Sequence, residues 1–221
     1  MKEYGSLKAR YSYVKPMLTA DNVQVRLDFA KTFLRPSSNA TTPFPNMHDI
    51  VHVDEKWFYL TRVKRKFYVY DDEEVAARSV KSKNFITKAM FLAAFARPRY
   101  DPATKEDFDG KIGIWPFVEI IAAKSKSINR EKVTPVTVPQ NVNGGVYKDF
   151  KLQKVVPAVL ARFPVGDLRR GVRIQQDNAS PHRQVTITFL QNAGIQNVGI
   201  MNQPPNSPDF NVLDLGFFNS I

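Results

Sequence analysis

The feature that most restricts the fold of this chain is a change in its sequence pattern near the middle. In the first half, segments rich in β-branched and aromatic residues follow one another, and they are IVHVDEKWFYLTRV (50–63), KFYVYDD (66–72), TKAMFLAAFARPRY (87–100) and KIGIWPFVEIIAA (111–123). From residue 147 helical and strand patterns alternate: a helix over 147–163 despite Pro157, a strand over 171–177, a helix over 183–194 closed by Gly194, and a strand over 195–203. Several strands followed by alternating helices and strands predict an α/β fold, a mixed sheet flanked by helices.

Two segments of different composition precede this region. TADNVQVRLDFAKTFL (19–34) places apolar residues at steps of three and four, which predicts an amphipathic helix capped by Thr19 or Asp21; the stripe consists of Val23, Leu27, Ala30 and Leu34. Residues 36–49 are rich in Pro, Ser, Thr and Asn without periodicity and indicate a linker. We therefore predict an N-terminal helical arm over 1–35, a linker over 36–49 and a main domain over 50–221.

Charge and composition limit the partners. The formal net charge of +11 makes a polyanion the first partner to consider, with nucleic acid ahead of an anionic membrane surface, although basic residues also serve solubility. The chain has no cysteine and three histidines, which excludes thiolate sites and leaves a metal to carboxylates, hence to Mg²⁺ or Mn²⁺. Membrane-spanning and secretion-signal patterns are absent from the sequence, so we expect a soluble, intracellular protein without a membrane partner.

Two acidic residues lie at positions of functional interest, one inside a predicted strand and one just after the end of another. Asp54 lies inside a hydrophobic strand, where an ionised carboxylate is rarely buried unless it is paired or binds a metal. The adjacent Glu55 must point to the opposite face of the sheet. An alternative is that Glu55 faces solvent and Asp54 pairs with a nearby Lys or Arg. Asp177 follows a short apolar run, at the position where strand ends of open sheets carry function, although such residues are also ordinary in turns.

A third acid follows a double-proline loop. Ser207-Pro208-Asp209 is a plausible helix start, which makes Asp209 the candidate cap and leaves Asp214 as the candidate facing inward. Three carboxylates that converge from two strands and a helix can hold two divalent ions roughly 3.5 to 4 Å apart. That arrangement suits phosphodiester chemistry and agrees with the basic charge.

Three motifs together resemble a known family. HVDEKWF (52–58), QQDNASPH (175–182) and PPNSPDFNVLDLGFF (204–218) occur in the order found in the catalytic domain of Tc1/mariner-type transposases, most closely the mariner-like branch whose triad ends in Asp. The resemblance implies an RNase H-like fold with Asp54 on the first strand, Asp177 beside the fourth and Asp214 on a later helix. It also implies that these three Asp hold two Mg²⁺ or Mn²⁺ ions, and that the protein acts in the nucleus as a homodimer on double-stranded DNA. Members cut at the terminal inverted repeats of their element and join the freed 3′ hydroxyl to target DNA.

Several further residues are candidates for contacts with DNA. Arg62, Lys64 and Lys66 share one strand face, although a solvated hairpin tip is an equal alternative. Lys124 and Lys126, with Arg130, form a second candidate patch that could equally be ordinary surface. By the resemblance, Asn178 and His182 position DNA or the Asp177 loop, and residues 61–85 contact the partner subunit.

The resemblance leaves three hypotheses for function. It implies helix-turn-helix modules before residue 1 and further helices after residue 221, which predicts that the chain is a fragment truncated at its C-terminus. The first hypothesis is an active, metal-dependent transposase domain, which the intact triad favours. The alternative, which truncation favours, is a catalytically inactive or domesticated remnant that still binds DNA. A third hypothesis, an RNase H-like nuclease acting on RNA/DNA hybrids, fits the motifs less well.

Overall fold

The computed structural model describes residues 17–34, 44–59, 61, 68–77, 79 and 86–220. The strands are β1 (Ile50–Tyr59), β2 (Lys88–Ala96), β3 (Arg99–Asp101), β4 (Glu106–Phe108), β5 (Lys111–Pro116), β6 (Val118–Ala122), β7 (Pro135–Pro139), β8 (Val172–Gln176) and β9 (Val198–Asn202). The α-helices are α1 (Ala20–Lys31), α2 (Gly144–Phe150), α3 (Val156–Arg162), α4 (Val165–Arg170), α5 (Ile187–Asn192) and α6 (Val212–Leu215). A π-helical segment, Lys151–Val155, joins α2 to α3.

The central element is a five-stranded mixed sheet in the order β5-β2-β1-β8-β9. Strands β5, β2 and β1 are antiparallel neighbours, whereas β1, β8 and β9 run parallel, as expected for strands joined through helices. The predicted α/β fold with a mixed sheet is confirmed. Two small antiparallel ribbons, β3–β4 and β6–β7, lie outside this sheet.

The two faces of the central sheet pack against different hydrophobic cores. Val51 and Val53 belong to the large core, which the sheet shares with the helical stretch from α2 to α3 and with α5. On the other face, Ala93 of β2 packs with Leu213 of α6 and with Phe218 in a smaller core. Because side chains alternate along a strand, Asp54 faces α6 while Glu55 faces the large core.

Several predicted elements have other bounds than their sequence pattern suggested. The strand predicted over 111–123 divides at the fully buried Phe117, whose N–H donates to the carbonyl of Met90, so that β5 stays in the sheet and β6 leaves it. The helix predicted over 147–163 contains the π-helical segment, and Pro157 lies in the first turn of α3. Helix α4 was not predicted, and the described residues 68–72 of the predicted strand 66–72 are not a strand.

Helix α1 begins after Thr19, whose side chain accepts the N–H of Asn22, as predicted. The predicted apolar stripe is not its buried face, because Val23 and Leu27 are about half exposed and no residue of α1 is buried. The helix instead contacts the main domain through Arg26 and Phe29. Of the predicted linker, residues 36–43 lie outside the described residues. No helix in the described ranges is long and apolar enough to cross a membrane.

Candidate metal-binding active site

The parallel register of β1 and β8 sets the first two acids side by side. His52 lies opposite Gln175; Asp54 follows two residues later on β1, and Asp177 follows two residues later just past the end of β8. Neighbouring strands are about 4.8 Å apart. The carboxylate of Asp54, which points toward α6, accepts a hydrogen bond from Asn211 Nδ2 at 2.8 Å. Burial, together with the negative charges of Asp214, Glu55 and Asp177, raises the pKa of Asp54 to about 8.

Asp177 sits in the turn just after β8. Its Oδ1 accepts the N–H of Ala179 at 2.9 Å, the local bond typical of an Asp at a turn. The same oxygen forms an ion pair with Nδ1 of His182. Although burial opposes it, hydrogen bonding to His182 and Ala179 lowers the pKa of Asp177. Asp177 is therefore ionised at neutral pH and held in one orientation.

Asp214 reaches the same place from helix α6. Asn211 caps this helix, since its Oδ1 accepts the N–H of Leu213 at 3.0 Å while its amide nitrogen donates to Asp54. Burial raises the pKa of Asp214, against the charge of Lys56 and a hydrogen bond with Asp54. The fully buried Asn211 side chain thus ties the helix of the third acid to the strand of the first.

A cleft of about 370 Å³ opens beside these acids. Asp177 and Asp214 line it, together with Asn178, Arg183 and the loop 203–208. As the side chains stand, no three His, Asp or Glu groups among the described residues are close enough to ligate one ion. The donor chemistry nevertheless fits Mg²⁺ or Mn²⁺, because carboxylate oxygens are the ligands that these ions prefer, and the charges of Asp214, Glu55 and Asp177 around Asp54 are ones that a divalent cation would neutralise.

A buried layer of polar groups lies beneath Asp177. The ring of His182 is 4% exposed, with Nδ1 facing Asp177 and Nε2 at 3.3 Å from Oε1 of Glu55. Burial opposes protonation of His182, yet the two carboxylates raise its pKa to about 9. Tyr147 stacks on this ring at 3.9 Å between centroids, and Lys151 Nζ lies 5.1 Å from the centroid of Tyr147. His182 therefore links Glu55 to Asp177 across the edge of the sheet.

The structure separates the residues predicted to contact DNA into three groups. Arg62, Lys64 and Lys66 lie outside the described residues, as do residues 78 and 80–85 of the segment 61–85. Lys124 and Lys126 are exposed in the loop between β6 and β7. Asn178 lines the cleft, whereas His182 is buried with both ring nitrogens toward carboxylates, a position that supports holding the Asp177 loop rather than touching DNA.

Sequence reasoning missed some of the groups that shape this site. The helix cap is Asn211 and not Asp209, whose carboxylate instead binds Arg26 at 2.7 Å. Glu55 does not face solvent as the alternative interpretation of β1 had it, and its side chain is 13% exposed. Lys56, two residues beyond Asp54 on the same face, was not recognised, although the alternation of side chains along a strand could have identified it.

The fold belongs to the RNase H-like class. The chain is similar to solved structures of Mos1 mariner transposase: the Mos1 mariner paired-end complex with Mn matches at a TM-score of 0.60 and 20% identity, over 99% of this chain and 53% of that chain. The catalytic domain of Mos1 mariner transposase matches at a TM-score of 0.53 and 17% identity, over 94% of this chain and 73% of that one. The chain thus spans about half the length of the transposase in the paired-end complex. No protein-family model and no curated protein matches the sequence.

Proposed function

We propose that this chain is the catalytic domain of a mariner-like DNA transposase that cleaves and joins DNA with divalent metal ions. The observation that carries the proposal is that Asp54 on β1 is hydrogen-bonded to Asp214 of α6 and feels the charge of Asp177 at the end of β8, within a fold matched by Mos1. Ions bound there would polarise the scissile phosphate and activate the attacking oxygen.

The chain's own residues would bind the ions and fix the positions of the three acids. Asp54, Asp177 and Asp214 would hold the ions; Asn211 fixes the first acid to the helix of the third, and His182 orients the second. In hydrolysis a water oxygen bonds to phosphorus and the bond to the 3′ oxygen breaks, which frees a 3′ hydroxyl. In joining, that hydroxyl attacks a target phosphate and displaces the target's own 3′ oxygen. No bond to the protein forms.

The proposed partners are double-stranded DNA and, in the full-length protein, a second subunit, with the nucleus as the compartment. The net charge of +11 supports a polyanionic partner. The similar Mos1 structures are described as paired-end complexes and a strand transfer complex. Double-stranded transposon ends and target DNA are therefore the substrates we propose for this chain.

A second candidate is an inactive remnant that binds DNA without cleaving it. It is favoured by the raised pKa of Asp54, because a protonated carboxyl is a poor metal ligand near neutral pH. Metal binding decides between the two candidates.

The deciding experiment is Mn²⁺ calorimetry on this chain and on Asp177→Asn, with Asp209→Asn as the matched control. The active domain is expected to bind Mn²⁺, to lose that binding in Asp177→Asn and to keep it in Asp209→Asn, whose carboxylate faces Arg26. Circular dichroism establishes that each variant is folded. A folded wild type that binds no Mn²⁺ would overturn the metal-dependent function and favour the remnant.

A further inference from the structure

The two-stranded ribbon outside the main sheet has a tip of unusual composition. We call residues 118–139 the basic ribbon: it consists of β6, the loop 123–134 and β7. At its base Phe117 is buried, and its carbonyl accepts the N–H of Gln140 at 2.9 Å. At its tip Ser127 and Arg130 exchange backbone hydrogen bonds of 2.8 and 3.2 Å, which leaves Ile128 and Asn129 as a two-residue turn.

Cations surround this tip on both strands. Within 124–134 the charged residues are Lys124, Lys126, Arg130, Lys132 and the single acid Glu131. Every residue from 124 to 134 is exposed, and Glu131 pairs with Lys126 at 2.8 Å. The tip therefore presents a net positive charge of three to solvent, with its cations on long side chains that can reach a polyanion.

Ile128 is the apolar residue at the end of the ribbon, and neither core packing nor turn geometry requires an isoleucine there. Its side chain is 100% exposed, so it contributes nothing to either hydrophobic core. Two-residue hairpin turns favour Asn, Asp and Gly, so turn chemistry does not account for an isoleucine either. Such a residue becomes buried only when something else meets the tip.

The backbone of the ribbon is bent below the tip. Val133 has a φ of 71°, a conformation that is unfavourable for a β-branched residue. Ala123 accepts the N–H of Val133 and donates to the carbonyl of Thr134, so two residues on one strand oppose one on the other. This is a β-bulge, a feature that re-aims a strand. The strained backbone at Val133 is part of the bulge that sets the direction in which the tip points.

We propose that the basic ribbon binds double-stranded DNA, with Ile128 inserted between base pairs and the flanking cations on the phosphates. Apolar side chains that wedge between base steps kink a duplex, and two-stranded ribbons fit its grooves. The positive charge of the tip favours a polyanionic partner. The apolar side chain at its end favours a polyanion with stacked bases, between which that side chain can insert. The inference rests on the proposed function only in taking DNA as the partner, and it needs neither metal nor cleavage.

The test uses the whole chain with a short duplex that carries 2-aminopurine at a central TA step, a step that is easily unstacked. Binding of the wild type is expected to raise 2-aminopurine fluorescence as the base unstacks. Ile128→Ser is expected to keep most of the affinity but to lose the fluorescence rise. The triple variant Lys124→Gln/Arg130→Gln/Lys132→Gln is expected to weaken binding by about tenfold or more and to flatten the salt dependence, by about 0.9 for each phosphate that the variant no longer neutralises.

Matched controls lie on the helical side of the molecule. Leu160→Ser and Lys154→Gln change an exposed aliphatic residue and an exposed cation without touching the ribbon, and both are expected to behave as wild type. An unchanged fluorescence rise in Ile128→Ser would overturn the wedge. Loss of self-association in Ile128→Ser, seen by sedimentation without DNA, would assign the tip to a protein contact instead. Because Mn²⁺ calorimetry reports the acid site separately, failure of the ribbon does not count against the proposed function.

Discussion

At the scale of single residues, Lys151 has the most unusual environment. Its amine is fully buried beneath the acids, and burial lowers its pKa to about 7, although the charges of Glu55, Asp177 and Asp54 oppose this. In the unfolded chain a lysine holds its proton to about pH 10.4. Between these pH values the unfolded state binds more protons, so this group makes stability rise with pH, and its cost is greatest below pH 7.

We therefore expect Lys151→Met to stabilise the fold, by on the order of 1 to 4 kcal/mol near pH 6 and by less near pH 9.5. Methionine fills a similar volume without a charge to desolvate. Urea unfolding of the variant and the wild type at both pH values measures the difference. Lys154→Met, an exposed position in the same π-helical segment, is the control and should change little. Destabilisation by Lys151→Met at both pH values would mean that the carboxylates keep the amine charged.

At the scale of elements, α1 is attached to the main domain through few groups. Arg26 donates to the carbonyl of Asn206 at 2.7 Å, to Ser207 Oγ at 2.9 Å and to both carboxylate oxygens of Asp209. The ring of Phe29 contacts that of Phe210 at 5.2 Å between centroids. With no residue of α1 buried, most of its attachment depends on this bidentate pair.

Arg26→Met should release α1 while leaving the rest of the fold intact. We expect amide exchange across α1 to speed up by about tenfold or more, with a loss of less than about 1 kcal/mol in global stability, because local opening need not involve the core. Hydrogen exchange followed by mass spectrometry resolves the two effects. Lys31→Met removes an exposed ion pair on the same helix and should leave exchange unchanged. Equal exchange in Arg26→Met and the wild type would show that the aromatic contact alone holds α1.

The sequence patterns correctly predicted those elements whose apolar residues can be buried in only one way. Strand β1 and strand β8 were evident because a short apolar run bounded by turn residues has few other solutions. The three acids were predicted from motifs, and the β1–β8 register accounts for the adjacency of Asp54 and Asp177. The π-helical segment and the burial of Lys151 were not foreseen, since a lysine in a helical pattern normally marks an exposed face.

At the scale of the whole molecule, the candidate site exists only in the folded chain. Its acids lie at positions 54, 177 and 214 and meet because β1 pairs with β8 and α6 packs on β1 and β2. A ligand that binds the native state alone stabilises the entire fold by mass action. Without metal, the high pKa of Asp54 has the opposite effect: stability falls as the pH rises from about 4 to about 8, because the unfolded carboxyl loses its proton first.

The proposed metal and the proton compete for the carboxylate of Asp54. Mg²⁺ should raise the melting temperature, and the increase should be larger near pH 8.5 than near pH 6, because below a pKa of about 8 the metal must displace the proton of Asp54. Each pH unit below that pKa weakens apparent binding by about tenfold. Thermal denaturation with and without Mg²⁺ across this range measures the effect, and Asp209→Asn should retain it. A shift of the same size at every pH would place Asp54 outside the metal site, whereas a shift that grows with pH makes the proton on this buried acid the competitor of the metal.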